Sequence, residues 1–172
     1  MVIFLLNNIK KRINMSRKPK IALFLDGPNL LRKEFEIDLN QIRDDLEEYG
    51  SVRELKVFLN QFAPDKLIEA IANHGFEPII GVGEKKDDIA SDVDVYVATA
   101  AISAIYNPHI DIIALATRDA DFLPVIQLAK RLGKKAYVIG LEPGFSKALQ
   151  QAADKVIILK TKEQRKKIKK KD

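Results

Sequence analysis

The feature that most constrains the fold is a rhythm. Short apolar runs of strand length recur along the chain, and between them lie segments whose apolar residues return at helical spacing. Residues 21–25 (IALFL) are apolar without alternation, as a strand covered on both faces requires. Leu39, Ile42, Leu46 and Tyr49 then repeat at helical spacing until Gly50 stops them. The same reading predicts further strands at 52–59, 76–82, 110–116, 136–139 and 155–159, and helices at 64–74, 93–106, 122–132 and 145–152. Strand and helix alternate throughout, which predicts an α/β class protein with a mostly parallel central sheet and helices on both faces. At 172 residues and 47% hydrophobic content the chain fills one core, and neither an internal repeat nor a dividing linker interrupts it.

In a parallel sheet the carboxyl ends of the strands are where ligands sit, and two of the expected strands end in acids. The first is IALFLDGPNLL, with Asp26 and Asn29, and the second is IIALATRDADF, with Asp119 and Asp121. Taken alone, Asp26-Gly-Pro-Asn29 is an Asp turn with an Asn cap, Gly27 permitting an unusual backbone geometry, and one of Asp119 and Asp121 caps the following helix. A third group, Asp87, Asp88, Asp92 and Asp94, opens the Ala-rich helix, where the helix dipole favours acids. Asp94 is nearest the apolar helix body and the costliest to keep as an unpaired charge. Topology joins the groups. Three βα units followed by a crossover make the first and fourth strands neighbours, so Asp26, Asp119 and Asp121 line one crevice with the start of the Asp94 helix above it. Carboxylates brought together repel unless a cation lies between them, and hard oxygen donors suit Mg²⁺ or Mn²⁺, which support in-line hydrolysis of a phosphodiester.

These segments resemble a known family. LDGPN, SDVDVYVATAA and TRDADFLPVIQLAKRLGKKAYVIG, in that order and spacing, are similar to the NYN domain, in its LabA-like (DUF88) branch of the PIN-like nuclease superfamily. The resemblance covers roughly residues 20–159. It implies a single-domain, Rossmann-like PIN/NYN fold and a metal-dependent ribonuclease. Asp26, Asp94, Asp119 and Asp121 would hold Mg²⁺ or Mn²⁺, and Asn29 would join them as a catalytic residue. Two departures stand out: Ala100 occupies a position where many relatives carry a second acid, and Arg118 and Ala120 replace the Gly and Ser of the usual GDSDF pattern. An RNA-binding or regulatory module with little turnover is the alternative that Ala100 leaves open. A Toprim-like or phosphatase-like phosphoryl hydrolase is a third, less well matched because the first strand ends in Asp26-Gly-Pro.

Charge is divided along the chain. Residues 1–20 hold six Lys and Arg with no acid, residues 160–172 hold eight against two, and the stretch between holds fifteen against twenty-two. Two basic arms thus flank an acidic domain, expected at 19–160, and can gather RNA by counterion release as well as keep the protein soluble. Residues 1–18 are expected to be a dispensable basic extension, with a second start at Met15, and 161–172 a Lys-rich tail. The apolar run 2–6 is shorter than the ~20 residues of a membrane span and the ~7–15 of a secretory core, so a cytoplasmic protein is expected. A homodimer is compatible with the resemblance.

The remaining motifs carry less. With no cysteine, thiolate zinc sites, disulfides, iron–sulfur clusters and cysteine nucleophiles are excluded. His74 and His109 lack partners at a triad or zinc spacing. Lys85, Lys86 and Arg118 are the RNA-contact candidates, Arg118 being equally suited to an ion pair with Asp119 or Asp121. Gly140 to Gly144 reads as an ordinary turn and Phe145 as a residue packed on the sheet.

Overall fold

The computed structural model describes residues 17–32, 35–82, 93–161 and Gln164, with the backbone alone at 85–86 and 89–90. The elements follow the expected alternation. They run β1 (Lys20–Asp26), α1 (Gly27–Leu30), α2 (Leu39–Glu47), β2 (Ser51–Asn60), α3 (Asp65–Asn73), β3 (Glu77–Gly81), β4 (Lys85–Lys86) and β5 (Ile89–Ala90). There follow α4 (Asp94–Tyr106), β6 (Ile112–Ala116), a 3₁₀ turn (Ala120–Phe122), α5 (Leu123–Arg131), β7 (Lys135–Gly140), α6 (Lys147–Ala152) and β8 (Lys155–Ile158). Local chemistry sets the boundaries. The Asp38 carboxylate accepts from the Asn40 amide to start α2, and Gly75 and Gly133, both at φ 80°, follow α3 and α5, where a side chain would be strained.

Six strands form one sheet in the order β3-β2-β1-β6-β7-β8, every neighbouring pair parallel. From β1 the chain lays down β2 and β3 to one side, then returns to place β6 on the other. Ile21 pairs with Ile112, and the register runs on to Leu25 opposite Ala116. This is the expected switch point. Its crevice opens beyond Asp26 and Ala116, between the diverging connections.

Two apolar layers hold the sheet. On one face Ala22, Phe24, Ile113 and Leu115 pack with Val97 and Ala101 of α4, Ile126 of α5 and Leu149 of α6. On the other, Ile21, Leu23, Leu25 and Ala114 pack with Ile42 and Leu46 of α2 and Ile71 of α3. β1 alternates between the two layers, which is why its sequence shows no polar alternation. Each fully buried Leu, Ile or Phe contributes about 1.5–3 kcal/mol in transfer terms.

Between β3 and α4, where no strand is expected, lies a small antiparallel ribbon, with Lys85 opposite Ala90 and Lys86 opposite Ile89. Backbone pairing across so short a hairpin leaves no periodic apolar signal to read. Asp87, Asp88 and Asp92 and the side chains of Lys85 and Lys86 lie outside the described residues, as do residues 1–16 and 165–172. Among the described residues no helix is long and apolar enough to cross a membrane.

Candidate metal centre

Asp26 ends β1 and is almost fully buried, at 3% exposure. One carboxylate oxygen, Oδ1, accepts from the Asn29 amide at 3.2 Å and so caps α1. The other, Oδ2, accepts from the Thr117 hydroxyl at 3.0 Å. Gly27 serves this turn through space rather than through an unusual dihedral angle. It is helical and not at positive φ, but a Cβ there would lie 2.4 Å from the Phe58 carbonyl oxygen and 2.7 Å from a Leu59 methyl. α1 is therefore pressed onto β2, and Asp26 is held under it.

Thr117, completely buried one residue past β6, ties the two acidic strand ends together. Its hydroxyl donates to Asp26, and its oxygen accepts from the Asp119 amide at 3.2 Å. Asp119 in turn caps the 3₁₀ turn, its Oδ1 accepting from the Asp121 amide at 3.0 Å. Capping thus falls to Asp119 rather than Asp121, whose side chain is exposed. A second tie runs through Asn29, whose Oδ1 accepts from the Arg118 backbone amide at 3.0 Å and from its Nε at 3.4 Å.

Asp94 is the first residue of α4, half-buried, in the turn where the helix dipole favours negative charge. Its carboxylate meets those of Asp119 and Asp121: one ligand oxygen from each lies within 4.8 Å of the other two. Three of the four expected ligands therefore converge. The carboxylate of Asp26 is outside that trio and is joined to it through Thr117 and the Asp119 amide. Three carboxylates from two separate chain segments, in a crevice at the sheet edge, form a hard, anionic donor set of the kind Mg²⁺ and Mn²⁺ take. The residues present fit a divalent metal.

Arg118 borders the site. Its Nη1 donates to the Pro143 carbonyl at 2.9 Å, and the guanidinium lies 4.6 Å from the centre of the Phe35 ring. Gly144, at φ 93°, makes room for it, since a Cβ there would stand 3.2 Å from Nη1. Ala100 lines a groove beside α4, together with Phe58 and Ile79. Phe145 is buried, as expected of a residue packed on the sheet, and the ring nitrogen Nδ1 of His74 is 2.7 Å from the Ala70 carbonyl in the last turn of α3.

The residue that sequence reading missed is Thr117. A threonine after an apolar strand carries no motif, and its bond to Asp26 exists only because β1 and β6 are neighbours. The signal available was its position, immediately before Arg118-Asp119 and directly after a strand with no polar residue.

The model for the NYN domain matches residues 20–160, and the chain belongs to that family, whose members are generally nucleases. It is similar to the uncharacterized protein MJ0482 of Methanocaldococcus jannaschii, with 57% identity over 138 residues, or 80% of this chain. The matched region spans about half of that relative, 54% of its length. Among solved structures, a protein of unknown function, VPA0982 from Vibrio parahaemolyticus, superimposes with a TM-score of 0.69 at 23% identity, covering 83% of this chain and 94% of that one. That likeness is one of fold.

Proposed function

We propose that this protein is a metal-dependent ribonuclease of the LabA-like (DUF88) branch of the NYN family, acting in the cytoplasm. The observation that carries the reading is the convergence of Asp94, Asp119 and Asp121 within 4.8 Å at the switch point of the sheet. These three residues would hold Mg²⁺ or Mn²⁺. When bound, the ion supplies charge neutralisation at a scissile phosphate and a lowered pKa for water, which is what phosphodiester hydrolysis needs in the absence of a nucleophilic side chain. The chain's own residues do the positioning. Asp94 brings its carboxylate on a helix N-terminus, and Asp119 is fixed by Thr117 and by its cap to Asp121. Asp26 anchors Thr117 from the buried side, and Asn29 fixes the Arg118 backbone beside the acids. Lys85, Lys86 and Arg118, with the two basic arms, supply cationic groups for an RNA backbone.

The test has two readouts. Added Mn²⁺ or Mg²⁺ should raise the thermal midpoint of the wild-type protein, because a ligand of the folded state stabilises it by mass action. Asp119→Asn should abolish that rise. Cleavage of single-stranded RNA should disappear in chelator and in the same variant. Full cleavage by Asp119→Asn protein would sink the assignment. A second reading, an RNA-binding module with little turnover, draws on Ala100, the departure from the family pattern noted in the sequence. Metal-dependent stabilisation and RNA binding without cleavage by highly purified protein would select it.

A further inference from the structure

Among the described residues the fold buries three polar or charged side chains, Asp26, Asn60 and Thr117. The first and last are bonded to each other at the acidic strand ends, and Asn60 stands apart at the end of β2, 6% exposed. Its Oδ1 accepts from the Phe62 amide at 3.0 Å, which closes the turn after the strand and fixes which end of the side-chain amide is oxygen. The turn asks for nothing more, since an Asp or a Ser supplies the same acceptor. What it leaves over is Nδ2, a donor of two hydrogens that meets no protein acceptor among the described residues. A buried donor left unmade costs as much as a hydrogen bond lost outright, so this amide is expensive unless something accepts from it.

The register of the sheet fixes where the side chain is directed. Phe58 and Asn60, two residues apart in β2, face the same layer, and Phe58 packs in the layer that holds Val93 and Val97. Asn60 pairs with Gly81 of β3, where a Cβ would lie 2.9 Å from the ring of Tyr96 in the first turn of α4. That is the turn that begins with Asp94. On the other side β1 sets Asp26 opposite Phe58, and strand spacings of about 4.8 Å across and 3.3 Å per residue put Asn60 roughly 8 Å from Asp26, Cα to Cα. Asn60 therefore lies between the end of β1 and the first turn of α4, at the sheet edge where Asp94 meets Asp119 and Asp121.

We propose that Asn60 is a substrate-binding residue whose Nδ2 donates to a non-bridging phosphate oxygen held at the metal centre. The proposal rests on the ribonuclease reading above and goes beyond it by naming a neutral donor for the phosphate. The four acids of the crevice bring acceptors, and Thr117 spends its hydroxyl hydrogen on Asp26. A phosphate brings acceptors too, so seating it there calls for a donor besides the ion. An amide is the fitting one. A Lys or Arg in its place would pair with the carboxylates that the ion needs, whereas an amide donates without neutralising them.

The experiment uses the full chain with Mg²⁺ and uridine 5′-monophosphate, a phosphate monoester that can be bound without being cut as a diester is. In a proton–nitrogen correlation spectrum the side-chain NH₂ pair of Asn60, identified by its loss in Asn60→Asp and in Asn60→Ser, should move as the nucleotide is added. Uridine without its phosphate should leave it in place. Asn60→Asp keeps the size of the side chain and the acceptor for Phe62 but replaces the donor by oxygen, so affinity for the nucleotide should fall about 10- to 150-fold. Asn60→Ser, which retains a donor, should recover part of that loss, and the rise in thermal midpoint with Mg²⁺ alone should persist in both variants. A circular dichroism melt checks their folding, and the wild-type spectrum decides the question if Asn60→Asp fails it. An NH₂ pair that stays in place, or undiminished nucleotide affinity in folded Asn60→Asp protein, overturns the proposal and leaves Asn60 a turn residue, with the metal response and RNA cleavage untouched. Nucleotide binding that depends on Asn60 in a protein that never cleaves RNA supports the donor and counts against the ribonuclease reading.

Discussion

The two ends of the β1–β6 seam use the same residue type for opposite purposes. At the amino-terminal end Asp111, just before β6, accepts from the Lys20 amide at 2.7 Å and from Arg17 Nη2 at 3.1 Å, and the Asp111 amide donates to the Lys20 carbonyl. Burial pushes this carboxyl up, but the Lys20 amide and the Arg17 guanidinium outweigh it, so its pKa falls below the usual aspartate value. At the carboxyl-terminal end three carboxylates converge on one another. The first arrangement fastens two strands and needs nothing further. The second gathers like charge, which folding alone does not reward, and which the proposed divalent ion would offset.

The largest test of this contrast exchanges the two ends. Asp94→Asn or Asp121→Asn should lower metal-dependent cleavage at least about 100-fold and leave stability without added metal unchanged or higher, since repulsion is relieved. Asp111→Asn should do the reverse, losing stability while the metal-induced shift in thermal midpoint persists. If Asp111→Asn also lost the metal response, the two ends would not be separable. Next in size, Gly27→Ala forces a Cβ against the Phe58 carbonyl, and denaturant titration should show a loss of about 1–3 kcal/mol. Thr117→Val removes the buried hydroxyl between Asp26 and Asp119. It should cost about 1–3 kcal/mol and weaken Mn²⁺ binding as well, whereas Thr117→Ser should restore most of both. Normal metal affinity in a folded Thr117→Val protein would show that Asp119 needs no such support.

The smallest effect concerns pH. Because the pKa of Asp111 is lower folded than unfolded, its contribution to stability is complete above the unfolded value near 3.8 and is lost as pH falls through the folded value. Acid titration of Asp111→Asn should therefore show a shallower stability loss below about pH 4 than wild type.

Much of this was legible in the chain. The uninterrupted apolar run of β1 announced burial on both faces, and Gly133 and Gly75 marked helix ends through the left-handed conformation they adopt. Asp94, Asp119 and Asp121 were visible because acids at strand ends and helix starts stand out against apolar neighbours. The ribbon at 85–86 and 89–90 was not visible, since two-residue strands have no period. Nor was the difference between Asp26 and the other acids. In sequence all four are strand-end or helix-start aspartates, and only the packing of α1 on β2 buries Asp26 and turns it toward Thr117.

The sequence by itself therefore determined the order of elements, the parallel sheet and the supply of acids, because periodicity and turn chemistry are local properties that a short stretch of chain carries within it. The tertiary structure decided which acids face each other, which one became an anchor, and that a threonine links them. Those outcomes depend on residues some ninety positions apart becoming neighbours across the β1–β6 seam, as Asp26 and Thr117 do. The same holds for the groove beside α4, where Gly81 on an edge strand and Tyr96 on the crossing helix meet only when the sheet is assembled.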